Sequence, residues 1–94
     1  SPLVGLFSGR ELDAKVTLGP NPATDFLQLQ IEVEEPMEFR LLLHDIHGRL
    51  IDQKNTQRTA QANVQFDLSN LPVGMYTLTV SSAEGHLTRS IAKQ

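Results

Sequence analysis

Three histidines are the residues of this chain whose side chains most readily bind a metal. His44 and His47 lie three residues apart, and His86 lies much further along the 94-residue sequence. On an extended strand, residues i and i+3 point to opposite faces, so the first two could converge only if the chain bends sharply between them. The chain has no cysteine to complete a site. We therefore expect polar surface histidines and no metal centre.

A separate segment rich in side-chain oxygens, with Asp67, Ser69 and Asn70, has side chains of the kind that bind calcium. It lacks the acidic density and the glycine at a sharp turn that a calcium-binding loop needs. Aspartate and serine side chains near a turn more often accept hydrogen bonds from neighbouring backbone amides. The sequence also contains no nucleophile motif, phosphate-binding loop or paired acid. We therefore expect no catalytic residues and no cofactor.

Composition limits the chain to one small domain with few classes of partner. The net charge is −3 and the lysines and arginines form no run, which argues against nucleic acid and anionic bilayers as partners. No apolar run approaches the ~20 residues of a membrane-spanning helix. The chain begins at Ser1 without a methionine, so we expect a piece of a larger protein. Residues 1–12 are predicted to be a linker and residues 13–94 the folded domain.

Apolar and polar residues alternate along most of the chain, which is the period of a strand with one buried face. The clearest case runs from Leu27 to Val33, and a second runs from Tyr76 to Val80 with threonines at the intervening positions. Turn residues recur at the ~8–12-residue spacing typical of sandwiches and barrels. The sequence predicts an all-β domain, a seven-stranded antiparallel β-sandwich with an immunoglobulin-like layout.

Particular residues carry further structural expectations. Pro20-Asn21-Pro22 should end the first strand, and Glu34-Glu35-Pro36 should break the second, because proline removes a backbone donor and fixes φ. Gly48 suits a turn position that needs positive φ. Residues 53–63 are the longest polar stretch and are expected to form an exposed loop. The residues predicted to build the core include Phe26, Leu29, Ile31, Phe39, Leu41, Leu43, Phe66, Tyr76, Leu78 and Ile91.

Four segments resemble, in order, the successive motifs of one known family. They are Gly19-Pro20-Asn21-Pro22-Ala23, then Leu43 to Arg49, then Phe66 to Leu78, and finally Gly85 with Ile91-Ala92-Lys93-Gln94. Each alone is ordinary turn chemistry, but together they resemble the C-terminal sorting domain of type IX secretion cargo over residues 13–94. Two departures are conservative. Leu18 and Leu43 stand where the family commonly has an aromatic, and the last strand lacks the family's adjacent lysines.

The resemblance implies a non-catalytic module at the end of a larger secreted protein of certain Gram-negative bacteria, with residues 1–12 as the linker from the cargo. The precursor would cross the periplasm and be recognised by the type IX outer-membrane translocon. A sortase-like cysteine peptidase would then remove the module and join the cargo to an anionic lipopolysaccharide on the cell surface. The residues expected to carry recognition are Pro20, Asn21, Pro22, Asp45, Gly48, Gly74, Tyr76, Thr77, Thr79, Gly85 and Lys93.

Two further hypotheses come from other functional classes. An accessory carbohydrate- or protein-binding β-sandwich appended to a secreted enzyme is the alternative, and it predicts an exposed aromatic platform. An enzyme in its own right has no candidate residue set. The sheet edges of a sandwich are unpaired, and Leu3, Val4, Leu6 and Phe7 form an apolar patch near the start. A homodimer formed by strand-edge pairing or strand swapping is therefore also expected.

Overall fold

The computed structural model describes residues 14–19 and 25–94. They form seven strands and no helix, so this part of the chain has no helix that could cross a membrane. The strands form an antiparallel three-stranded sheet, β1-β2-β5, and an antiparallel four-stranded sheet, β4-β3-β6-β7. The predicted all-β, seven-stranded antiparallel sandwich is confirmed. The strands are β1 (Lys15–Gly19), β2 (Phe26–Met37), β3 (Arg40–Asp45), β4 (Leu50–Asn55), β5 (Thr59–Asp67), β6 (Gly74–Ser82) and β7 (Gly85–Lys93).

One apolar core, built from alternate residues of both sheets, holds the two layers together. Each fully buried leucine, isoleucine or phenylalanine contributes roughly 1.5–3 kcal/mol relative to an exposed one. All the predicted core residues except Phe26 are buried. Phe26 is 44% exposed because it neighbours the inward-facing Leu27, and successive strand residues point to opposite faces. The buried residues are Leu27, Leu29, Ile31, Phe39, Leu41, Leu43, Ala62, Phe66, Leu68, Tyr76, Leu78, Val80, Leu87 and Ile91.

Strand β2 runs past the point at which a break was predicted. It continues through Pro36 to Met37, but its register with β5 shifts between Glu32 and Met37. A proline without an amide donor is tolerated where the ladder of hydrogen bonds is interrupted. The prediction was therefore wrong about the end of the strand, because Pro36 lies within an interruption of the pairing.

The expectation of an exposed loop at residues 53–63 is also wrong. Both ends of this stretch belong to strands β4 and β5, and only residues 56–58 connect them. Ala62 is buried and pairs with Ile31 of β2. An alanine among polar residues gives a weak alternation, because its side chain is small and its intrinsic preference for strands is low.

The antiparallel order gives the sandwich two poles. The motif pole consists of turn 46–49, segment 68–73 and the end of β7, and the pairings of Asp45 with Tyr76 and of Gly74 with Lys93 hold these together in one sheet. The opposite pole consists of connections 38–39, 56–58 and 83–84, together with the start of β1 at Lys15. Every connection in the described chain lies at one pole or the other.

Candidate functional site

The turn at residues 46–49 is fixed by one carboxylate at the end of β3. The Asp45 Oδ1 atom accepts hydrogen bonds from the amides of His47 and Arg49, both at 2.9 Å. Its Oδ2 atom accepts from Arg49 Nε, also at 2.9 Å. The Gly48 amide donates to the Asp45 carbonyl at 3.0 Å. The φ angle of Gly48 is 82°, which confirms the predicted positive-φ turn, since side-chain-bearing residues rarely adopt this conformation.

These contacts also change the acidity of the carboxyl group. The backbone amide of Arg49 is the largest influence holding the pKa of Asp45 below its ordinary value of 3.8, and the Arg49 side chain and His47 amide act in the same direction. The pKa of Asp67 is lowered too, first by the Ser69 hydroxyl and then by the Ser69 amide. Both carboxylates are therefore charged acceptors that fix local turns at neutral pH.

Segment 68–73 carries the chain from the three-stranded sheet to the four-stranded one. Its start is fixed by the Ser69 amide and hydroxyl, which donate to Asp67 Oδ1 at 3.0 and 2.7 Å. Leu68 is fully buried, and its amide donates to the Asp25 carbonyl at 2.8 Å. The predicted turn-capping role is thus confirmed for Asp67, whereas the Ser69 hydroxyl donates to that carboxylate and caps no backbone amide of the described residues. The crossover is anchored to the core at Leu68 and to the start of β2 at Asp25.

Tyr76 fixes the other end of the same segment. Its ring is 6% exposed, and its hydroxyl donates to the Pro72 carbonyl at 2.6 Å. A buried tyrosine needs such a partner for its hydroxyl group. This hydrogen bond joins the start of β6 to the residues that precede it. The backbone around Val73 and Gly74 is therefore held by a side chain that is buried in the core. Tyr76 therefore positions the motif pole from within.

The motif pole brings together Asp45, Gly48, Gly74, Tyr76 and Lys93 of the predicted recognition residues. Thr77 and Thr79 lie on the outer face of the four-stranded sheet and are half-buried, although they were expected to be exposed. Gly85 begins β7 at the opposite pole. Pro20, Asn21 and Pro22 lie outside the described residues, as does the predicted linker at residues 1–12.

Sequence reasoning missed the apolar rim of the motif pole. We give this name to the exposed large apolar residues of the described chain, all of which lie at the motif pole: Phe26 (44% exposed), Ile46 (75%), Leu50 (52%), Val73 (74%) and Met75 (48%). Ile46 and Val73 lie inside turn motifs, where the period of two gives no information about facing. The signal that could have revealed them is an apolar residue one or two positions before the glycine of a turn.

The histidines do not converge. His44 lies on β3 and His47 in turn 46–49, whereas His86 lies at the start of β7 at the opposite pole. Within residues 14–19 and 25–94, no three histidine, cysteine, aspartate or glutamate side chains are grouped so that they could hold a metal ion. The geometry offers turns and an apolar rim, which are means of recognition.

Residues 17–94 match the family described as the secretion system C-terminal sorting domain. The chain belongs to this family. As a type IX sorting domain it is a secretion signal and not a catalytic module, and it implies a secreted or cell-surface precursor that meets the secretion machinery. A comparison with curated proteins found no match to the chain.

Proposed function

We propose that the domain directs a larger cargo protein through the type IX outer-membrane translocon, and that the translocon reads the motif pole. The observation that carries this proposal is convergence. Segments that are far apart in sequence, around Asp45, Gly74 and Lys93, meet at one pole. The same pole holds the whole apolar rim. Exposed apolar side chains gathered at one end of a domain can contribute to a protein-binding surface.

The later steps belong to the same proposal. After export, a sortase-like cysteine peptidase removes the domain and joins the cargo to an anionic lipopolysaccharide of the Gram-negative cell surface. The domain itself contributes no catalytic residue. The precursor therefore passes through the periplasm and ends at the outer surface, and residues 1–12 serve as the linker between cargo and domain. The strand order and the Tyr76 bond to Pro72 support an immunoglobulin-like classification of the sandwich.

A reporter fusion tests the proposal. The full 94-residue chain is placed after a periplasmic reporter and expressed in a strain with a working type IX translocon and in one without it. We expect the reporter in the medium or on the surface only in the first strain. If it stays in the periplasm while the native cargo of that strain is exported, the domain is not an export signal.

A surface variant then tests where recognition occurs. Ile46→Ser with Val73→Ser removes the two most exposed large apolar side chains of residues 14–19 and 25–94 without touching the core. Glu84→Ser with Thr88→Ser is the matched control, because both residues are exposed and lie at or near the opposite pole. We expect export of the first variant to fall and that of the control to be retained. If both variants are exported as well as the wild type, the motif pole is not the recognised surface, and the sorting function itself still stands.

The accessory binding sandwich has one observation in its favour, the exposed ring of Phe26. Phe39, Phe66 and Tyr76 are buried, so the described residues provide one ring and not a platform. Titration of the domain with soluble glucans, chitin oligosaccharides and peptidoglycan fragments tests this alternative. Binding that Phe26→Ala abolishes would support it. The homodimer remains a prediction, and the outer edge of β7 is one place where two copies could pair.

A further inference from the structure

The outer edge of β7 differs from the other sheet edges. Strand β1 has 5 residues, and β4 has 6 and shifts register against β3. Strand β5 has 9 residues, but its pairing with β2 is interrupted. Strand β7 has 9 residues and pairs with β6 from Gly85 to Lys93 without a shift. A long regular edge presents a row of unpaired amides and carbonyls that another strand can use.

The middle of this edge carries a charge on the inward-facing side. Leu87 and Ile91 are 2% and 0% exposed, whereas Arg89, which has the same facing between them, is exposed. Arg89 Nη1 donates to the carbonyl of the adjacent Thr88 at 3.0 Å. Across the described residues the salt-bridge geometry is met only by Asp45 with Arg49. Among the described residues, no carboxylate lies within salt-bridge distance of Arg89, so its guanidinium group can bind an acidic group of a partner.

Lys54 on β4 is the counterpart at the other edge of the same sheet. It also pairs across an inward-facing leucine, Leu41, as Arg89 does with Leu78. However, its Nζ atom lies 5.6 Å from the centre of the Phe66 ring, close enough for a cation–π interaction. The cation at the β4 edge therefore has a partner within the domain. The cation at the β7 edge has none of this kind in the part of the chain described.

We propose that the β7 edge binds an extended segment of a partner protein, which adds as a fifth strand and places a carboxylate beside Arg89. Backbone hydrogen bonds would supply affinity, and the charge would select the partner. The segment should carry an acidic residue between two apolar residues of the same facing, to match Leu87, Arg89 and Ile91. The proposal is independent of the export function.

A second copy of the chain fits this edge less well. Arg89 is the central residue of β7, which spans Gly85–Lys93. A symmetric antiparallel pairing of two β7 strands in full register therefore places Arg89 opposite its own copy. Like charges directly opposite each other destabilise a strand pair. The residue that would attract an acidic segment thus opposes self-pairing.

Two synthetic peptides test the proposal. The first is acetylated and amidated Thr-Val-Thr-Glu-Thr-Val-Thr, and the second has lysine in place of glutamate. The ¹⁵N-labelled domain is titrated with each, and amide shifts and hydrogen exchange are followed. We expect protection of alternate β7 amides, those that do not face β6, and roughly 3- to 10-fold tighter binding of the glutamate peptide.

Charge reversal provides the decisive control. Arg89→Glu should reverse the preference, so that the lysine peptide binds more tightly, whereas Lys54→Glu should leave the original preference in place. The proposal is overturned if neither peptide shifts the β7 amides at millimolar concentration, or if both bind the wild type equally. It is also overturned if sedimentation shows a wild-type dimer in which the β7 amides are protected, because a second copy would then occupy the edge.

Discussion

The two poles of the sandwich both hold their turns with hydrogen bonds between side chains and backbone, but they differ in the apolar residues that they expose. At the motif pole, the side chains of Asp45, Asp67 and Tyr76 hydrogen-bond to backbone groups of turns. At the opposite pole, Thr56 exchanges bonds with the backbone of Phe39, and Ser82 bonds to residues of its own hairpin. The large exposed apolar side chains of the described chain are confined to the motif pole. The opposite pole has a polar groove of about 470 Å³, lined by Glu38, Phe39, Arg40, Asn55, Ser81, Ser82 and Ala83.

The difference shows how a small domain can keep apolar residues exposed in a defined arrangement. An exposed apolar side chain keeps a defined position more easily when hydrogen bonds hold the backbone that carries it. Turn 46–49 and segment 68–73 are held by a carboxylate and a core tyrosine, so Ile46 and Val73 stay at 75% and 74% exposure. At the motif pole, the backbone is hydrogen-bonded where the surface is apolar.

The largest loss of stability should come from substitutions in the core beneath each pole. These losses should be similar at the two poles. Phe66 lies one residue from the end of β5 at the motif pole, and Phe39 lies beside the start of β3 at the opposite pole; both are buried. We expect Phe66→Ala and Phe39→Ala each to lower the free energy of unfolding by about 3–5 kcal/mol. Urea denaturation followed by circular dichroism measures both. A much smaller loss for Phe66→Ala would mean that the core does not support the motif pole.

A smaller effect should come from backbone conformation at Gly48. An ideal Cβ at Gly48 or at Gly19 meets no other heavy atom within 4 Å. Of these two glycines, Gly48 has a positive φ, at 82°, and Gly19 does not. We expect Gly48→Ala to lower the unfolding free energy by about 1–2 kcal/mol, the usual penalty of the left-handed conformation. Gly19→Ala is the matched control, and its effect should be close to zero. Equal losses would show that turn 46–49 can relax to a conformation open to any residue.

Removing one hydrogen bond at each pole separates stability from recognition. Tyr76→Phe deletes the bond to the Pro72 carbonyl, and Thr56→Val deletes the acceptor of the Phe39 amide. Each should cost about 1 kcal/mol of stability. Only Tyr76→Phe releases segment 68–73, so we expect export of the reporter to fall for this variant and to be retained for Thr56→Val. Parallel losses of export would mean that the secretion machinery senses overall stability.

Acid should act mainly on the motif pole, and this is the smallest expected effect. The pKa values of Asp45 and Asp67 are lowered by folding. Their stabilisation is therefore fully present above the ordinary pKa of 3.8 and is lost as the pH falls through the lower folded values. Amide shifts of His47, Arg49 and Ser69 should change in that range. Asp45→Asn should abolish the change at His47 and Arg49 only; if it persists there, another group controls the turn.

Much of this fold follows from the alternation of apolar and polar residues. The period of two in β2 and β6 correctly indicated their inward-facing leucines, because each strand has one solvated face. Around Ala62 the alternation persists toward Val64 and Phe66, but a small alanine with a low strand preference marks it weakly, so this part of β5 was mistaken for a loop. The interruption at Pro36 could not be predicted either, since it depends on the pairing with β5.

The candidate site could be predicted only in part. Asp45, Gly48 and Tyr76 were found because turn chemistry and a known motif order mark them. The apolar rim was missed because exposure at a strand end is decided by tertiary contacts. Phe26 illustrates this, since its exposure follows from the facing of Leu27 and its place opposite Asp67. Arg89 was missed because its meaning depends on β7 being an edge strand.

An odd number of antiparallel strands has a mechanical consequence. Strand β1 begins at the opposite pole and β7 ends at the motif pole. A cargo protein placed ahead of β1 would therefore join the domain at the end away from the motif pole. The 9 residues of β7 correspond to about 30 Å at ~3.3 Å per residue. In the proposed precursor, this length separates the motif pole from the point at which the chain enters β1. Cargo proteins of very different size and surface could share one such domain, because the strand length fixes the distance between its two poles.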